Sequence, residues 1–166
     1  MFKSKKKVVV CIYGVGGHKA QIIRLLDKIN KECDDNISFV GLTEKGGIIN
    51  NLFLTCYEVP ELRSKYKSNF SLFKTVISII VHLKVSILIL LKYKVKLTIS
   101  TGPGIAIVPF YIFKIFNVKL VFVETWSRFE KSSFAGKFVY PIANLFLIQN
   151  KELKSVYPKS KYSGRL

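Results

Sequence analysis

The chain has few acidic residues, cysteines and histidines, and each shortage excludes a class of function. Of its 166 residues, 10 are Asp or Glu, three are Cys and two are His, against 27 Lys and Arg. The cysteines, Cys11, Cys33 and Cys56, are odd in number and lack Cys-x-x-Cys spacing, which indicates reduced core residues rather than a disulfide framework. Because the histidines are only His18 and His82 and no acidic pair has ligand spacing, we expect no bound metal.

The chain also has no pattern typical of a secretory signal. Residues 1–7 are rich in lysine, and the apolar run that follows them is short and ends in glycines. We therefore expect the protein to stay in the cytoplasm. A chain of this length predicts one domain over residues 1–166, because it can bury most of its apolar surface in one core.

The charge and the hydropathy point to the same kind of partner. The formal net charge is +17, yet 49% of the residues are hydrophobic. Basic side chains beside surplus apolar surface favour an anionic membrane surface, where each lysine contributes about 1 kcal/mol. We expect no nucleic-acid partner, because the sequence has no recognised RNA-binding or DNA-binding signature.

Six apolar runs alternate with helical patterns. Strands are expected at residues 8–12, 37–42, 52–57, 97–100, 120–123 and 145–148, and helices at residues 18–31, 70–92, 105–116 and 134–143. Continuous apolar strands separated by helices are typical of a sheet covered on both faces. The pattern predicts an α/β fold, a Rossmann-like open parallel sheet with helices on both faces. Pro109 predicts that the third helix either begins late or bends, since proline removes one N–H from the ladder.

The second helical segment is almost long enough to span a membrane, but lysines and a histidine interrupt it. Its polar residues recur every three or four positions and form one narrow stripe: Ser71, Thr75, Ser78, His82 and Ser86. The rest is apolar, which fits a core helix or a helix that also faces lipid or a partner subunit. For the second reading, the predicted membrane-contacting residues are Phe73, Ile77, Ile80, Lys84, Leu88 and Lys92.

The first strand runs into a glycine loop at residues 14–18 that opens a helix. Backbone N–H groups at such a junction bind phosphate or pyrophosphate. Gly14 and Gly16 match the first two glycines of the dinucleotide fingerprint, but Lys19 replaces the third, which argues against a nicotinamide site. Histidine side chains in general titrate near neutrality, so His18 could remove a proton from an attacking hydroxyl, or it could cap or pack the helix.

Two further loops carry polar groups at predicted strand ends. Residues 100–104, with Thr101, Gly102 and Gly104, form a rigid turn that either exposes N–H donors or serves only as a turn. Residues 123–128 place Glu124 and Arg128 around a tryptophan. Glu124 could act as a base or orient a sugar hydroxyl, and Arg128 could hold a phosphate, or the two could simply pair.

Five motifs, in this order and spacing, resemble one family over nearly the whole chain. They are Gly-Val-Gly-Gly-His at 14–18, Ser-Thr-Gly-Pro-Gly at 100–104, Val-Glu-Thr-Trp-Ser-Arg at 123–128, Gly-Lys-Phe-Val-Tyr-Pro at 136–141 and Tyr-Pro-Lys-Ser-Lys-Tyr-Ser-Gly-Arg-Leu at 157–166. The chain resembles the membrane-recruiting subunit of split GT-B glycosyltransferases. That family includes the eukaryotic subunit for dolichol-linked N-acetylglucosamine transfer and bacterial capsule and exopolysaccharide proteins. The single-chain enzyme MurG is a more distant likeness.

The resemblance implies that the chain is the N-terminal, acceptor-side half of a GT-B enzyme. A separate catalytic glycosyltransferase subunit would then bind the nucleotide sugar, and this chain would need no cofactor. The acceptor would be a lipid-linked saccharide, reached from the cytoplasmic face of the membrane. By position, Gly16, Gly17 and His18 would belong to the pyrophosphate and catalytic cleft, with Gly102 and Gly104 in a second cleft loop. Glu124 would line the same cleft.

The resemblance further implies that an acceptor hydroxyl attacks the anomeric carbon of the donor, with His18 or Glu124 as the base. Eukaryotic members begin with a transmembrane helix, whereas only residues 1–7 precede the first strand here. Membrane attachment is therefore expected to depend on the second helix. Two alternatives stay open: a non-catalytic membrane scaffold of the same fold and a small nicotinamide-dependent oxidoreductase.

Overall fold

The structure is a computed structural model that describes residues 4–32, 37–49, 51–62 and 72–166. Its strands are β1 (Lys7–Tyr13), β2 (Phe39–Glu44), β3 (Thr55–Val59), β4 (Lys94–Ser100), β5 (Lys119–Val123), β6 (Leu145–Ile148) and β7 (Lys161–Tyr162). Its α-helices are α1 (Gly17–Glu32), α2 (Leu72–Lys92), α3 (Ile107–Ile115) and α4 (Phe134–Val139). Short 3-10 turns occupy Gly104–Ala106 and Lys151–Lys154.

All seven strands form one parallel sheet in the order β3-β2-β1-β4-β5-β6-β7. The chain first moves from β1 towards β3 and then crosses to β4 and continues outward. Right-handed crossovers therefore put α1 on one face of the sheet and α2, α3 and α4 on the other. The prediction of a Rossmann-like open parallel sheet with helices on both faces is confirmed.

The alternation of side chains along β1 produces two cores, one on each face. Val10 and Ile12 belong to the larger core, which also contains residues of α2, α3 and α4. Cys11 and Tyr13 point to the other face, where residues of α1 pack against them. Both faces of β1 are thus dry, which explains why its sequence is a continuous apolar run.

Several elements differ from the expectation. β3 covers Thr55–Val59 instead of residues 52–57, and β4 begins at Lys94 instead of residue 97. β7 is only two exposed residues long and carries no apolar run, so hydrophobic pattern could not reveal it, and its pairing with β6 is tertiary. α4 ends at Val139 rather than at residue 143. Pro141 lies just beyond this end and lacks the N–H that would extend the ladder.

The structure resolves the alternatives at Pro109. A 3-10 turn comes first, and α3 begins late, at Ile107. Pro109 therefore falls in the first turn of the α-helix, where a missing N–H costs little. Cys11 is buried and Cys56 half-buried, and both are free thiols. Cys33, Phe70 and Ser71 lie outside the described residues.

Candidate functional site

The strand order reverses between β1 and β4, so the loops after these two strands diverge and leave a crevice between them. One loop leads from β1 into α1 through Gly14 and Gly16, and the other leads from β4 through Thr101 and Gly102. Gly16 has a positive φ of +63°, which lets the chain turn sharply into α1. The first two predicted loops therefore lie side by side at the carboxyl edge of the sheet.

His18 is tied to the second loop by two hydrogen bonds. Its Nδ1 lies 2.6 Å from the carbonyl oxygen of Thr101, and the Thr101 hydroxyl donates to the His18 carbonyl at 3.0 Å. Because a carbonyl only accepts, the Nδ1 carries the proton, and in the neutral ring the Nε2 is the basic nitrogen. A general base needs this tautomer, and here the hydrogen bond from Nδ1 to Thr101 fixes the orientation of the ring.

Gly102 makes this arrangement possible. Its φ is +100°, a conformation that residues with a side chain rarely adopt. A Cβ placed on it would lie 3.3 Å from Cε1 of the His18 ring. The glycine is therefore required both for the turn and for the close approach of the imidazole.

A cleft of about 390 Å³ opens at this edge of the sheet. It contains basic groups from two of the predicted loops and carboxylates from elsewhere. Its lining residues are His18, Glu44, Glu61, Leu62, Gly102, Gly104, Ile105, Thr125, Ser127, Arg128, Ser133, Phe134 and Ala135. Among the predicted site residues, His18, Gly102, Gly104 and Arg128 thus lie together on the cleft surface.

Glu124 is placed differently from what the resemblance implied. It is fully buried and is not among the residues that line the cleft. One carboxylate oxygen accepts from the Thr125 N–H at 2.9 Å. The other accepts from the Ser133 N–H and hydroxyl, at 3.3 and 2.9 Å, and from the Tyr157 hydroxyl at 2.8 Å. Arg128 is not its hydrogen-bond partner among the described residues.

The buried Glu124 cluster unites three of the sequence motifs. Ser133 caps α4 by accepting from the Gly136 N–H at 2.9 Å. A Cβ on Gly136 would come within 2.2 Å of the Tyr157 hydroxyl and 2.4 Å of a Glu124 oxygen. Burial is the main effect that raises the pKa of Tyr157, and the nearby Glu124 carboxylate raises it further. The Tyr157 hydroxyl therefore stays protonated and can donate. The cluster therefore holds the start of α4, which forms one wall of the cleft.

The other predicted loop residues lie next to the cleft but do not line it. Gly14, Gly16, Gly17 and Thr101 are not on the cleft surface among the described lining residues. Gly14 is needed for packing, since an added Cβ would lie 3.1 Å from a Glu44 oxygen and 3.2 Å from Pro103. Gly16 and Gly17 have no described atom within 4 Å of an added Cβ, which leaves their backbone open to a ligand.

The sequence pattern did not single out Glu61 or assign Glu44 to this cleft. Glu44 is the last residue of β2 and is nearly buried, and Glu61 follows β3 by two residues. Both positions follow the rule that ligands gather beyond the carboxyl ends of parallel strands, so strand ends were the available signal. Within the described residues no group of His, Cys, Asp and Glu has an arrangement that could hold a metal ion.

On α2 the polar residues are buried and many of the large apolar residues are exposed, which is the reverse of a usual surface helix. Ser78, His82 and Ser86 are 3%, 0% and 0% exposed and face the sheet side. The predicted membrane-contacting residues are all on the outer surface: Phe73, Ile77, Ile80, Lys84, Leu88 and Lys92. The helix is long and apolar enough to cross a bilayer by length and composition. Its polar stripe is therefore the packed side, and its apolar side is outward.

A family model described as "Oligosaccharide biosynthesis protein Alg14 like" matches residues 9–166. The chain belongs to this family. The resemblance drawn from the five sequence motifs is thereby confirmed.

Curated Alg14-like relatives align with almost the whole chain. The UDP-N-acetylglucosamine transferase subunit ALG14 of Kluyveromyces lactis is 24% identical over an alignment of 194 residues, which covers 99% of this chain and 80% of the relative. The Homo sapiens protein of the same name is 25% identical over 177 residues, with 95% and 82% covered.

Solved structures with the same fold as this Alg14-like chain are much longer proteins. MurG of Acinetobacter baumannii superposes with a TM-score of 0.61 at 13% identity, covering 97% of this chain and 44% of MurG. A UDP-N-acetylglucosamine 2-epimerase gives a TM-score of 0.66 at 11% identity, covering 95% and 46%. This chain therefore corresponds in fold to less than half of either protein.

Proposed function

We propose that this chain is the acceptor-side, membrane-bound subunit of a UDP-N-acetylglucosamine transferase. A separate catalytic subunit binds the nucleotide sugar, and the acceptor is a lipid-linked pyrophosphate saccharide at the cytoplasmic face of a membrane. The relatives are named as subunits of a UDP-N-acetylglucosamine transferase, which supports the reaction class and the role of a subunit. The alignments cover 80% and 82% of the length of these subunits, which supports a division of the enzyme between two chains.

The observation that carries the membrane part of the proposal is the orientation of α2. A helix that only covers a sheet turns its apolar side inward. Here the exposed side carries Phe73, Ile77, Ile80, Leu88 and Leu91, each between 44% and 74% exposed. Lys84 and Lys92 are exposed on the same helix and suit anionic headgroups.

The size of this surface fits reversible attachment. Moving five half-exposed side chains into lipid contributes about 1 kcal/mol each. Two lysines near an anionic surface add about 1 kcal/mol each. The total of about 7 kcal/mol supports peripheral binding and falls far below the strength of an inserted transmembrane helix.

α2 lies along the membrane in this proposal instead of crossing it. If it crossed, His82 and Ser78 would exchange their buried hydrogen bonds for lipid, which costs several kcal/mol for each unpaired polar group. The outward apolar side can enter the interface without any such loss. The helix thus keeps its place on the sheet while its outer surface contacts lipid.

Within the cleft we assign the base to His18. Its Nδ1–H bond to Thr101 presents Nε2 as the basic nitrogen, and its ring lines the cleft. Glu124 is a positioning residue, because its oxygens accept hydrogen bonds from Thr125, Ser133 and Tyr157. We assign Arg128 to the acceptor pyrophosphate, because it is exposed, lines the cleft and has a guanidinium that can bind a phosphate.

In the proposed reaction, an acceptor hydroxyl attacks the anomeric carbon of the donor. The proton of that hydroxyl passes to Nε2 of His18, while the bond from the anomeric carbon to the nucleoside diphosphate breaks. The diphosphate leaves on the partner's side with the bonding electron pair. A positioned base of this kind contributes about 10²-fold to 10⁴-fold to the rate.

The decisive assay combines this chain with its catalytic partner in vesicles that contain polyprenyl-pyrophosphate N-acetylglucosamine. Transfer from UDP-N-acetylglucosamine should require both chains and the lipid-linked acceptor. His18→Ala should lower the rate about 100-fold or more with the complex intact. Turnover by this chain alone, without partner or lipid, would contradict the proposal.

The same preparation tests the rival view that the chain is only a scaffold. A scaffold predicts that His18→Ala transfers at the normal rate as long as the partner stays bound. Membrane binding is tested separately with anionic vesicles at low salt. Ile77→Gln combined with Leu88→Gln should weaken vesicle binding about ten-fold or more, whereas Leu54→Gln, at a half-exposed site outside α2, should not. Equal binding by all three proteins would exclude α2 as the attachment surface.

A further inference from the structure

The buried polar side of α2 is attached to one wall of the cleft. Residues 60–62 follow β3, and Glu61 and Leu62 of this segment form part of the cleft wall. The Nε2–H of His82 donates to the carbonyl oxygen of Pro60 at 2.9 Å. The Ser78 hydroxyl donates to the Glu61 carbonyl at 3.0 Å. Two successive carbonyls of the wall are thus held by the helix.

This attachment replaces hydrogen bonds that the segment cannot make within the sheet. Pro60 has no N–H, so the strand ladder ends at Val59, the last residue of β3. Pro60 and Glu61 are exposed, yet their carbonyls accept hydrogen bonds from the buried side chains of His82 and Ser78. Because a buried imidazole and a buried hydroxyl pack less favourably than leucine or alanine, their position against these carbonyls indicates a specific use.

The wall also has the chemistry to contact a sugar. Glu61 of this wall and Glu44 at the end of β2 both line the cleft, and each residue has a carboxylate side chain. Carboxylates accept hydrogen bonds from sugar hydroxyls but repel a pyrophosphate, which Arg128 attracts instead. The wall at residues 60–62, of which Glu61 and Leu62 line the cleft, therefore suits the acceptor sugar rather than its pyrophosphate.

We propose that Ser78 and His82 are positioning residues for the acceptor: they hold the sugar-contacting wall at residues 60–62 on the helix whose opposite side contacts lipid. The inference rests on the proposed function and adds to it a defined link between membrane contact and acceptor seating. One helix sets both the depth of the chain in the interface and the position of the wall that receives the acceptor.

The test measures transfer by the complete complex in vesicles with polyprenyl-pyrophosphate N-acetylglucosamine as the acceptor. Ser78→Ala and His82→Leu should each raise the KM for this acceptor about five-fold to ten-fold, the effect expected from one lost hydrogen bond to a wall carbonyl. The KM for UDP-N-acetylglucosamine and the binding to acceptor-free vesicles should stay unchanged. His82→Gln should restore much of the acceptor KM, since the glutamine amide can donate to Pro60.

Ser86→Ala is the matched control. Ser86 lies one turn beyond His82 on the same buried side, and its hydroxyl has no hydrogen-bond partner in the described part of the chain. An acceptor KM for Ser78→Ala equal to that of Ser86→Ala would overturn the inference, and so would an equal rise in the KM of both substrates. Ser78→Ala decides the matter if His82→Leu does not fold. An inactive wild-type complex would overturn the proposed function itself, and with it the inference.

Discussion

Replacing Gly102 by alanine tests the geometry of the site most directly. At its φ of +100° a side chain is strained, and such a backbone costs about 1–3 kcal/mol. The new methyl carbon would lie 3.3 Å from His18 Cε1 and 3.6 Å from Nδ1, so the ring must move by a few tenths of an ångström. That movement disturbs the bond of 2.6 Å to the Thr101 carbonyl.

The strain and the movement of the ring have separate readouts. Strain of about 1–3 kcal/mol should by itself lower the melting temperature by about 2–12 °C for a chain of this size. Misplacement of His18 should reduce the turnover rate of the complex about ten-fold to 100-fold, a part of what a general base contributes. Melting is followed by circular dichroism, and turnover is followed by sugar transfer in vesicles.

Gly46→Ala separates the two effects. Gly46 has a φ of +81°, and no described atom lies within 4 Å of an added Cβ. It should lose stability to a similar degree yet leave transfer unchanged, because the methyl group touches nothing in the cleft. Transfer by Gly102→Ala at the same rate as Gly46→Ala would refute the placement of His18 against this glycine.

Three further outcomes follow from the buried polar groups. Gly136→Ala, whose methyl group would overlap Tyr157 and Glu124 at 2.2 and 2.4 Å, should destabilise the fold by about 3 kcal/mol or more in urea unfolding; a wild-type midpoint would contradict the cluster. Tyr157→Phe should cost about 1 kcal/mol through the lost bond to Glu124, and an unchanged midpoint would show that this bond is absent in solution. Burial lowers the pKa of His82, against the raising effect of the Pro60 carbonyl. The stability linked to its neutral form is therefore full above about pH 6.5 and falls as the pH drops below this value, where the unfolded chain takes up the proton first. As the pH falls through this window, the melting temperature of the wild type should drop more than that of His82→Gln, which has no group that titrates at this position. An equal drop in both proteins would show that His82 is not buried as described.

The order of strands and helices could be predicted because the chain alternates β-branched apolar runs with helical periodicity. That signal depends only on neighbouring residues. The position of the glycine loops at residues 14–18 and 100–104 could also be predicted from the sequence, since a parallel sheet brings the carboxyl ends of its strands to one edge. His18 was recognised for the same reason, and the structure places it on the cleft surface.

The role of Glu124 could not be predicted from its neighbours. A lone carboxylate at a strand end predicts a site residue, yet its partners Ser133 and Tyr157 lie 9 and 33 residues further along the chain. Only the packing of α4 on the sheet brings these partners within hydrogen-bond distance of Glu124. Glu61 was missed for the opposite reason, because it has no motif and reaches the cleft only through the position of β3 in the sheet.

By itself the sequence determined the parallel α/β fold, the family and the glycine-rich edge, because each of these depends on periodicity or on residues close together in the chain. The tertiary structure decided which side of α2 faces outward and which carboxylate reaches the cleft. Ser78, His82 and Ser86 form the same stripe in either orientation of the helix. Contact with residues 60–62 and with the sheet turns that stripe inward and leaves the apolar side exposed.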